Sequence, residues 1–334
     1  MSRAISENWP VLTVRGAPDG ELIRDITALV AASAESDGNP PLSEQTLVDL
    51  RSADADASNL LTLALYSPEE ESDPATAQDL AGAAVVTLEP DGTGVLEIVV
   101  HPWYRNQGVG ARLVDTLKSV RGLDGLHAWS HGNHEAAADL ARQYGYVPVR
   151  ELWRMRLTRT SAPMPAVELP EGVTLRAFVP GQDDKAWLAA NADAFSHHPE
   201  QGSMTLGDLR ARMAESWFDP AGFLLAVDAH GTILGFHWTK VHPRTGGHPA
   251  MGEVYVVGVT AAAQGKGLGK ALTIAGINHL HDAGLSAIML YVDADNQAAV
   301  ALYRKLGFTR WDTDVMYAPA SAAEGAVATV ATPA

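Results

Sequence analysis

The 334-residue chain contains no cysteine. Disulfide bonds and thiolate metal sites are thereby excluded, and a reducing compartment fits that usage. Positive charge is scarce: 24 Lys and Arg stand against 40 Asp and Glu, for a formal net charge of −16. Nucleic-acid binding calls for a basic face, so no nucleic-acid partner is expected, and any anionic ligand must be held by local geometry. No apolar run approaches the length of a membrane span. The opening stretch Met1 to Glu7 lacks the apolar core of a secretory signal. The reading is a cytoplasmic protein with no membrane partner, expected to act as a monomer. His197-His198 invite a metal reading, but no H-x-x-x-H spacing accompanies them, so no metal is expected.

What is present is enough apolar residue, 46%, and enough length for two packed domains. Strand-like runs fall at Val11 to Arg15, Asn59 to Tyr66, Leu80 to Leu88, Gly94 to Val100, Leu126 to Ser130 and Tyr146 to Leu157. Helical spacing falls at Glu21 to Ala32, Glu44 to Arg51, Gly108 to Val120 and His134 to Tyr144. The acidic stretch Pro68 to Gln78 reads as a mobile loop. Thr158 to Gly172 holds three prolines and reads as a linker between domains at 1–157 and 173–318, with a disordered tail at 319–334. After the linker the same order of strands and helices returns. The fold class expected is α/β, an α+β mixed sheet built twice in tandem.

One glycine-rich phrase also occurs twice. The first copy is Arg105-Asn106-Gln107-Gly108-Val109-Gly110 and the second Gln264-Gly265-Lys266-Gly267-Leu268-Gly269, about half a chain apart. Each follows a strand-like run and opens a helix-like run. A turn of this kind exposes backbone N–H groups at a helix N-terminus, where the helix dipole also favours a phosphate. Lys266 and Lys270 could add charge. A single copy is equally well read as a tight turn. The spacing fits neither a dinucleotide-binding fingerprint nor a Walker loop.

The phrase resembles the hallmark [R/Q]-x-x-G-x-G/A of the GCN5-related N-acetyltransferases. A second hallmark follows it as Asn296-x-x-Ala299-x-x-Leu302-Tyr303-x-x-x-Gly307-Phe308, and only a blurred copy of that surrounds Asn133, Leu140 and Gly145. The phrases His197 to Gly202, Phe236 to Pro243 and Gly252 to Val259 resemble a two-domain branch of the family. That branch acetylates the cysteinyl amine of a cysteinyl-glucosaminyl-inositol, a small amino-sugar thiol. The resemblance implies acetyl-CoA as co-substrate. It would be held by Val257, Gly258 and Val259, by Gln264 to Lys270, and by Asn296, Gln297, Ala298, Ala299, Val300 and Ala301. A second molecule would lie against Ile98, Val99, Val100 and Arg105 to Gly110 in the first half.

The resemblance also implies Glu253 as general base and Tyr303 as the acid that protonates the CoA thiolate. On the residues alone, Glu253 reads equally as a surface carboxylate at a strand start and Tyr303 as a core aromatic. Glu44, Glu200, Lys240, Glu253 and Tyr291 match positions expected to hold the acceptor, although Glu44 and Glu200 read alone are solvated charges. Counting back from the glycine phrase, Glu253 corresponds to Gly94 and Tyr303 to Leu140. Alternation then places Glu97 on the face opposite Gly94. The first half is expected to bind without turning over. Rival readings are an acetyltransferase for another amine, such as an aminoglycoside or a protein N-terminus, and a regulatory acetyl-CoA-binding module.

Overall fold

The computed structural model describes residues 9–51, 59–68, 79–159, 164–196, 199–244 and 249–321. The expected mobile loop beyond Pro68, the His197-His198 pair and the tail from 322 onward lie outside the described residues, as does the side chain of Glu200.

The chain forms two compact units, one of residues 1–152 and 313–334, the other of residues 153–312. Unit 1 contains β1 (Val11–Arg15), α1 (Gly20–Asp37), α2 (Glu44–Arg51), β2 (Leu60–Tyr66), β3 (Leu80–Leu88), β4 (Gly94–Val100), α3 (Val109–Val120), β5 (Leu126–Ser130) and α4 (Glu135–Gln143). The long strand β6 (Tyr146–Thr158) carries the chain into unit 2. There β7 (Thr174–Ala177), α5 (Asp184–Ala194), α6 (Pro199–Gly202), α7 (Leu206–Met213), β8 (Phe223–Val227), β9 (Ile233–His242), β10 (Met251–Val259), α8 (Leu268–Asp282), β11 (Ala287–Asp293) and α9 (Gln297–Lys305) follow. The last strand, β12 (Thr309–Pro319), returns to unit 1.

Strand order in unit 1 is β1-β2-β3-β4-β5-β12, and in unit 2 it is β6-β11-β10-β9-β8-β7. This corrects the expected boundary. The cuts fall inside two strands, at Leu152/Trp153 and Asp312/Thr313, and not in the 158–172 segment. Each sheet takes the strand beside its inner parallel pair from the other half of the sequence: Val315 to Tyr317 of β12 pair with Ala128 to Ser130 of β5.

Helices cover both faces of each sheet, so the central strands are nearly continuous apolar runs. In unit 1, Leu61, Leu63 and Leu65 point into one core with Leu113 and Leu117 of α3, while Ala64, Ala83 and Val99 point into another with Leu22, Ile26 and Leu29 of α1. In unit 2, Trp187, Phe223 and Trp238 form an aromatic core: Phe223 stacks on Trp238 at 4.4 Å and Trp187 meets both edge-on. Such pairs add about 1 kcal/mol each beyond their buried area.

Two glycines hold the same place in the two units. A Cβ on Gly82 of β3 would meet Val109 at 2.6 Å, and one on Gly235 of β9 would meet Leu272 at 2.9 Å. At both spots the helix lies too close to the sheet for a side chain. The absent side chains let the N-terminal turns of α3 and α8 sit against β3 and β9.

Candidate active site

In unit 2, β10 and β11 run parallel but pair only from Gly252 to Val254 against Ile288 to Leu290. Beyond Val254, β10 continues to Val259 beside β9 alone, so the two parallel strands part. The expected donor segment, Val257 to Val259, lies on that parted edge. Both α8 and α9 start at the carboxyl ends of these strands, the general position of ligands in parallel sheets. Gly265 (φ 76°) and Gly267 (φ 80°) turn the chain into α8 through the left-handed region that favours glycine. No side chain caps α8, which leaves the amides of its first turn available to an anion.

The other residues of the phrase brace this turn. Gln264 Nε2 donates to the Val259 carbonyl at 3.2 Å, and Lys266 Nζ donates to that of Ala262 at 3.2 Å. Leu268 is buried and anchors the helix, while Lys270 is exposed. Asn296 caps α9 by accepting from Ala299 N at 3.1 Å, and Gln297 Nε2 donates to the Ala294 carbonyl. Val300 is buried, Ala299 is partly buried, and Ala298 and Ala301 are exposed.

Glu253 on β10 is 5% exposed, which excludes the surface-carboxylate reading. Its Oε2 lies 2.6 Å from His242 Nε2 on β9. Lys240 stands directly across from Glu253 in the β9–β10 register. The Lys240 ammonium lies 4.7 Å from the ring centre of Trp217 and 5.1 Å from that of Tyr255, positions that favour a cation. Tyr255 is the extra residue of a bulge between Val254 and Val256, and its hydroxyl accepts from Arg212 Nε at 3.0 Å. Tyr291 is on β11, with the Arg154 guanidinium 6.0 Å from its ring.

Tyr303 on α9 packs its ring against Phe308 and the core around Val300. Its hydroxyl has no hydrogen-bond partner among the described residues. Burial pushes the Tyr303 phenol up to about 12, so it keeps its proton across the working pH range. Glu44 opens α2 and belongs to unit 1, the four other acceptor positions belong to unit 2, and Glu200 is in α6.

The glycine turn of unit 1 has the same build. Asn106 (φ 61°) and Gly108 (φ 87°) take the left-handed positions of Gly265 and Gly267. Arg105 Nε donates to Val100 O at 3.3 Å, as Gln264 does to Val259. Here, however, the guanidinium also grips Asp37 through two 2.7 Å hydrogen bonds. Burial alone would raise Asp37, but Arg105 outweighs it and holds the carboxyl below its usual range. A cavity of about 530 Å³ is lined by Ile98, Val99, Val100, Arg105, Asn106, Gly108, Val109 and Gly110, and by His131.

The sheet register corrects one expectation. Gly82 pairs with Val100 and Thr87 with Val95, while Gly235 pairs with Val259 and Lys240 with Glu253. Glu253 therefore matches Val95 and not Gly94, because the bulge at Tyr255 adds a residue that counting misses. Glu97, two residues from Val95, is consequently on the same face as Glu253's counterpart and not on the opposite one. It is 1% exposed and fully engaged: it accepts from Ser43 N at 3.0 Å and lies 2.6 Å from His131 Nε2. His131 Nδ1 meets Asp314 of β12 at 3.0 Å. Burial alone would lower His131, but hydrogen bonds to Asp314 and Glu97 and the charge of both push it up to about 10.

His242 and the Glu97–His131–Asp314 chain carry no assigned role in the sequence reading. His242 sits two residues from Lys240 on one strand, a spacing that shares a face. Nothing in the sequence brings Asp314 to His131.

A model of the acetyltransferase (GNAT) family matches residues 187–308, and a GNAT domain model matches residues 70–148. The chain is 72% identical over 319 residues to a mycothiol acetyltransferase of an Arthrobacter species, covering 96% of this chain and 99% of the relative. It is 52% identical over 293 residues to that of Thermobispora bispora, covering 87% and 94%. Among solved structures, a tandem GNAT protein from the clavulanic acid biosynthesis pathway shares the fold with a TM-score of 0.66 at 20% identity, over 92% of this chain and 98% of that one. A GCN5-related N-acetyltransferase from Sphaerobacter thermophilus gives 0.62 at 27%, over 93% and 96%. With two GNAT domains and relatives of this identity over nearly its full length, the chain belongs to the acetyl-CoA-dependent GNAT acyltransferases and, within them, to the mycothiol acetyltransferase family.

Proposed function

We propose that unit 2 transfers the acetyl group of acetyl-CoA to the cysteinyl amine of a cysteinyl-glucosaminyl-inositol, the last step of mycothiol biosynthesis. The observation that carries this reading is a buried carboxylate, Glu253, beside parting parallel strands, together with a Tyr303 hydroxyl that has no partner among the described residues, on the helix that follows β11.

The pyrophosphate of acetyl-CoA meets the first-turn amides of α8, and its thioester lies along Val257 to Val259. An N–H of that edge stabilises the oxygen of the tetrahedral intermediate. Glu253 takes a proton from the acceptor ammonium, and the free amine attacks the thioester carbon. The C–N bond forms, the C–S bond breaks, and Tyr303 protonates the departing sulfur. Attack is direct, and a cysteinyl thioester intermediate is excluded because the chain has no cysteine. Lys240, Tyr291 and Glu200 contact the hydroxyls and cysteinyl group of the acceptor. Unit 1 holds acetyl-CoA against Ile98 to Val100 and Arg105 to Gly110 without turnover. The protein acts as a cytoplasmic monomer, independently of metal.

The test is acetyl transfer by the purified chain to cysteinyl-glucosaminyl-inositol, glucosaminyl-inositol, free cysteine and an aminoglycoside, read as CoA release and product mass. Acetylation of the first compound alone is expected. Preferred acetylation of any other would discard the assignment of acceptor.

A further inference from the structure

Glu253 must lose the proton it gains before each new turnover, and its own surface offers that proton little water. The Glu253 side chain is 7% exposed, whereas that of His242 is 38% exposed. The 2.6 Å contact between them is the shortest path from the buried carboxylate outward through a titratable group. Both residues are on adjacent antiparallel strands of one unit, so the contact is fixed by the β9–β10 register: Lys240 faces Glu253, and Met251 faces His242.

We infer that His242 is a positioning residue for the transfer reaction: it holds Glu253 by a hydrogen bond and passes the proton that Glu253 collects to solvent. This rests on Glu253 being the base. Of the three protons on the acceptor ammonium, one remains on the amide. One leaves through Glu253 and His242 to water, and one replaces the proton that Tyr303 gives to the CoA sulfur. No further reactant is required. Among the described residues, the neighbouring charged and titratable groups are Lys240 on β9, Tyr255 on β10 and Arg212 on α7, which donates to the Tyr255 hydroxyl. Lys240 is held near two aromatic rings and Arg212 by that hydroxyl, which leaves the imidazole as the group in hydrogen-bond contact with the carboxylate.

The test compares His242→Ala, His242→Gln and Glu253→Gln in the full chain, with kcat and KM measured from pH 5 to 10. Acetyl-CoA binding by calorimetry in an Arg105→Glu, Gly108→Asp background, which leaves only the unit 2 site, reports folding of that unit. For His242→Ala, kcat is expected to fall about 10- to 100-fold, at the lower end of proton-transfer contributions, with KM for acetyl-CoA unchanged. The acid limb of the profile moves to higher pH, since the ionised carboxylate loses a hydrogen-bond donor. Added imidazole restores part of the rate. His242→Gln keeps a donor, so its acid limb stays near the native one, while kcat stays low because an amide passes no proton. Native kcat and native profile in His242→Ala would overturn the inference. So would low kcat in both variants without a limb shift or imidazole rescue, which marks a merely structural residue. If His242→Ala fails to bind acetyl-CoA, His242→Gln decides: native kcat overturns the relay, and low kcat rescued by imidazole supports it. Substantial activity in Glu253→Gln would instead remove the base assignment beneath it.

Discussion

Each unit sets a glutamate of the strand before its glycine turn 2.6 Å from a histidine, and the surroundings of the two pairs differ. In unit 2, Glu253 leans on a histidine that reaches solvent. In unit 1, Glu97 is closed in by Ser43, and its histidine is clamped on the far side by Asp314 from the chain's last strand. Both arrangements bury an acid beside a parting pair of strands, since β4 and β5 pair only from Gly94 to Glu97 against Leu126 to Trp129. Under the proposed division of labour, a buried acid is therefore not enough to mark a catalytic centre. The number of fixed partners matters: a carboxylate held by a serine amide and an imidazolium has no capacity for a substrate proton, whereas one with a single exchangeable partner does.

The largest effect that sharpens this comparison is expected for Glu253→Gln. A positioned base contributes about 10²- to 10⁴-fold, so kcat should fall about 10³-fold with acetyl-CoA affinity unchanged by calorimetry. Glu97→Gln in unit 1 should leave kcat within about twofold.

Next in size is the response to pH. Unit 2 buries His237, 0% exposed, with Nδ1 donating to the Leu272 carbonyl. Burial drags it down to about 4. Its contribution to stability is complete above its ordinary value near 6.5 and is lost as pH falls toward 4, on the order of 3 kcal/mol in all. His131 in unit 1 is raised, so its contribution is complete below about 6.5 and is lost as pH rises toward 10. Hydrogen exchange read by peptide should show unit 2 loosening first at pH 5 and unit 1 first at pH 9. The same unit loosening first at both ends would refute the contrast.

Tyr303→Phe is expected to lower kcat about 10- to 100-fold with little change in KM, the mark of a proton delivered in the transition state. Because the phenol keeps its proton to about 12, no alkaline limb below pH 10 should disappear in the variant. The smallest effect belongs to Arg105→Glu with Gly108→Asp. This pair introduces two negative charges at unit 1's anion turn and should abolish one acetyl-CoA site while leaving kcat within about twofold.

Much of the fold can be read from the chain. The paired glycine phrases, the strand runs and the helix starts agree with the structure to within two or three residues, because each depends on local turn chemistry and apolar period. The last strands do not follow that logic. Tyr146 to Leu157 and Phe308 to Ala318 are recognisable as strands, but pairing partners are chosen by long-range register, and each joins the other half's sheet. The bulge at Tyr255 is equally hidden. It shifts the alignment of the halves by one residue, enough to put Glu97 on the wrong face, since side chains alternate with period two. Glu253 and Tyr303 stand out through motif resemblance alone; their burial, the His242 contact and the Asp314 clamp are products of tertiary packing.

The most direct measurement is the number of acetyl groups one chain transfers rapidly. The full-length protein is loaded to saturation with radiolabelled acetyl-CoA, then mixed with cysteinyl-glucosaminyl-inositol and a large excess of unlabelled acetyl-CoA. With transfer confined to unit 2, the fast phase yields one labelled product per chain, and any label held by unit 1 leaves as intact acetyl-CoA. Two labelled products per chain in the fast phase would show that both units react and would contradict the division of labour between them.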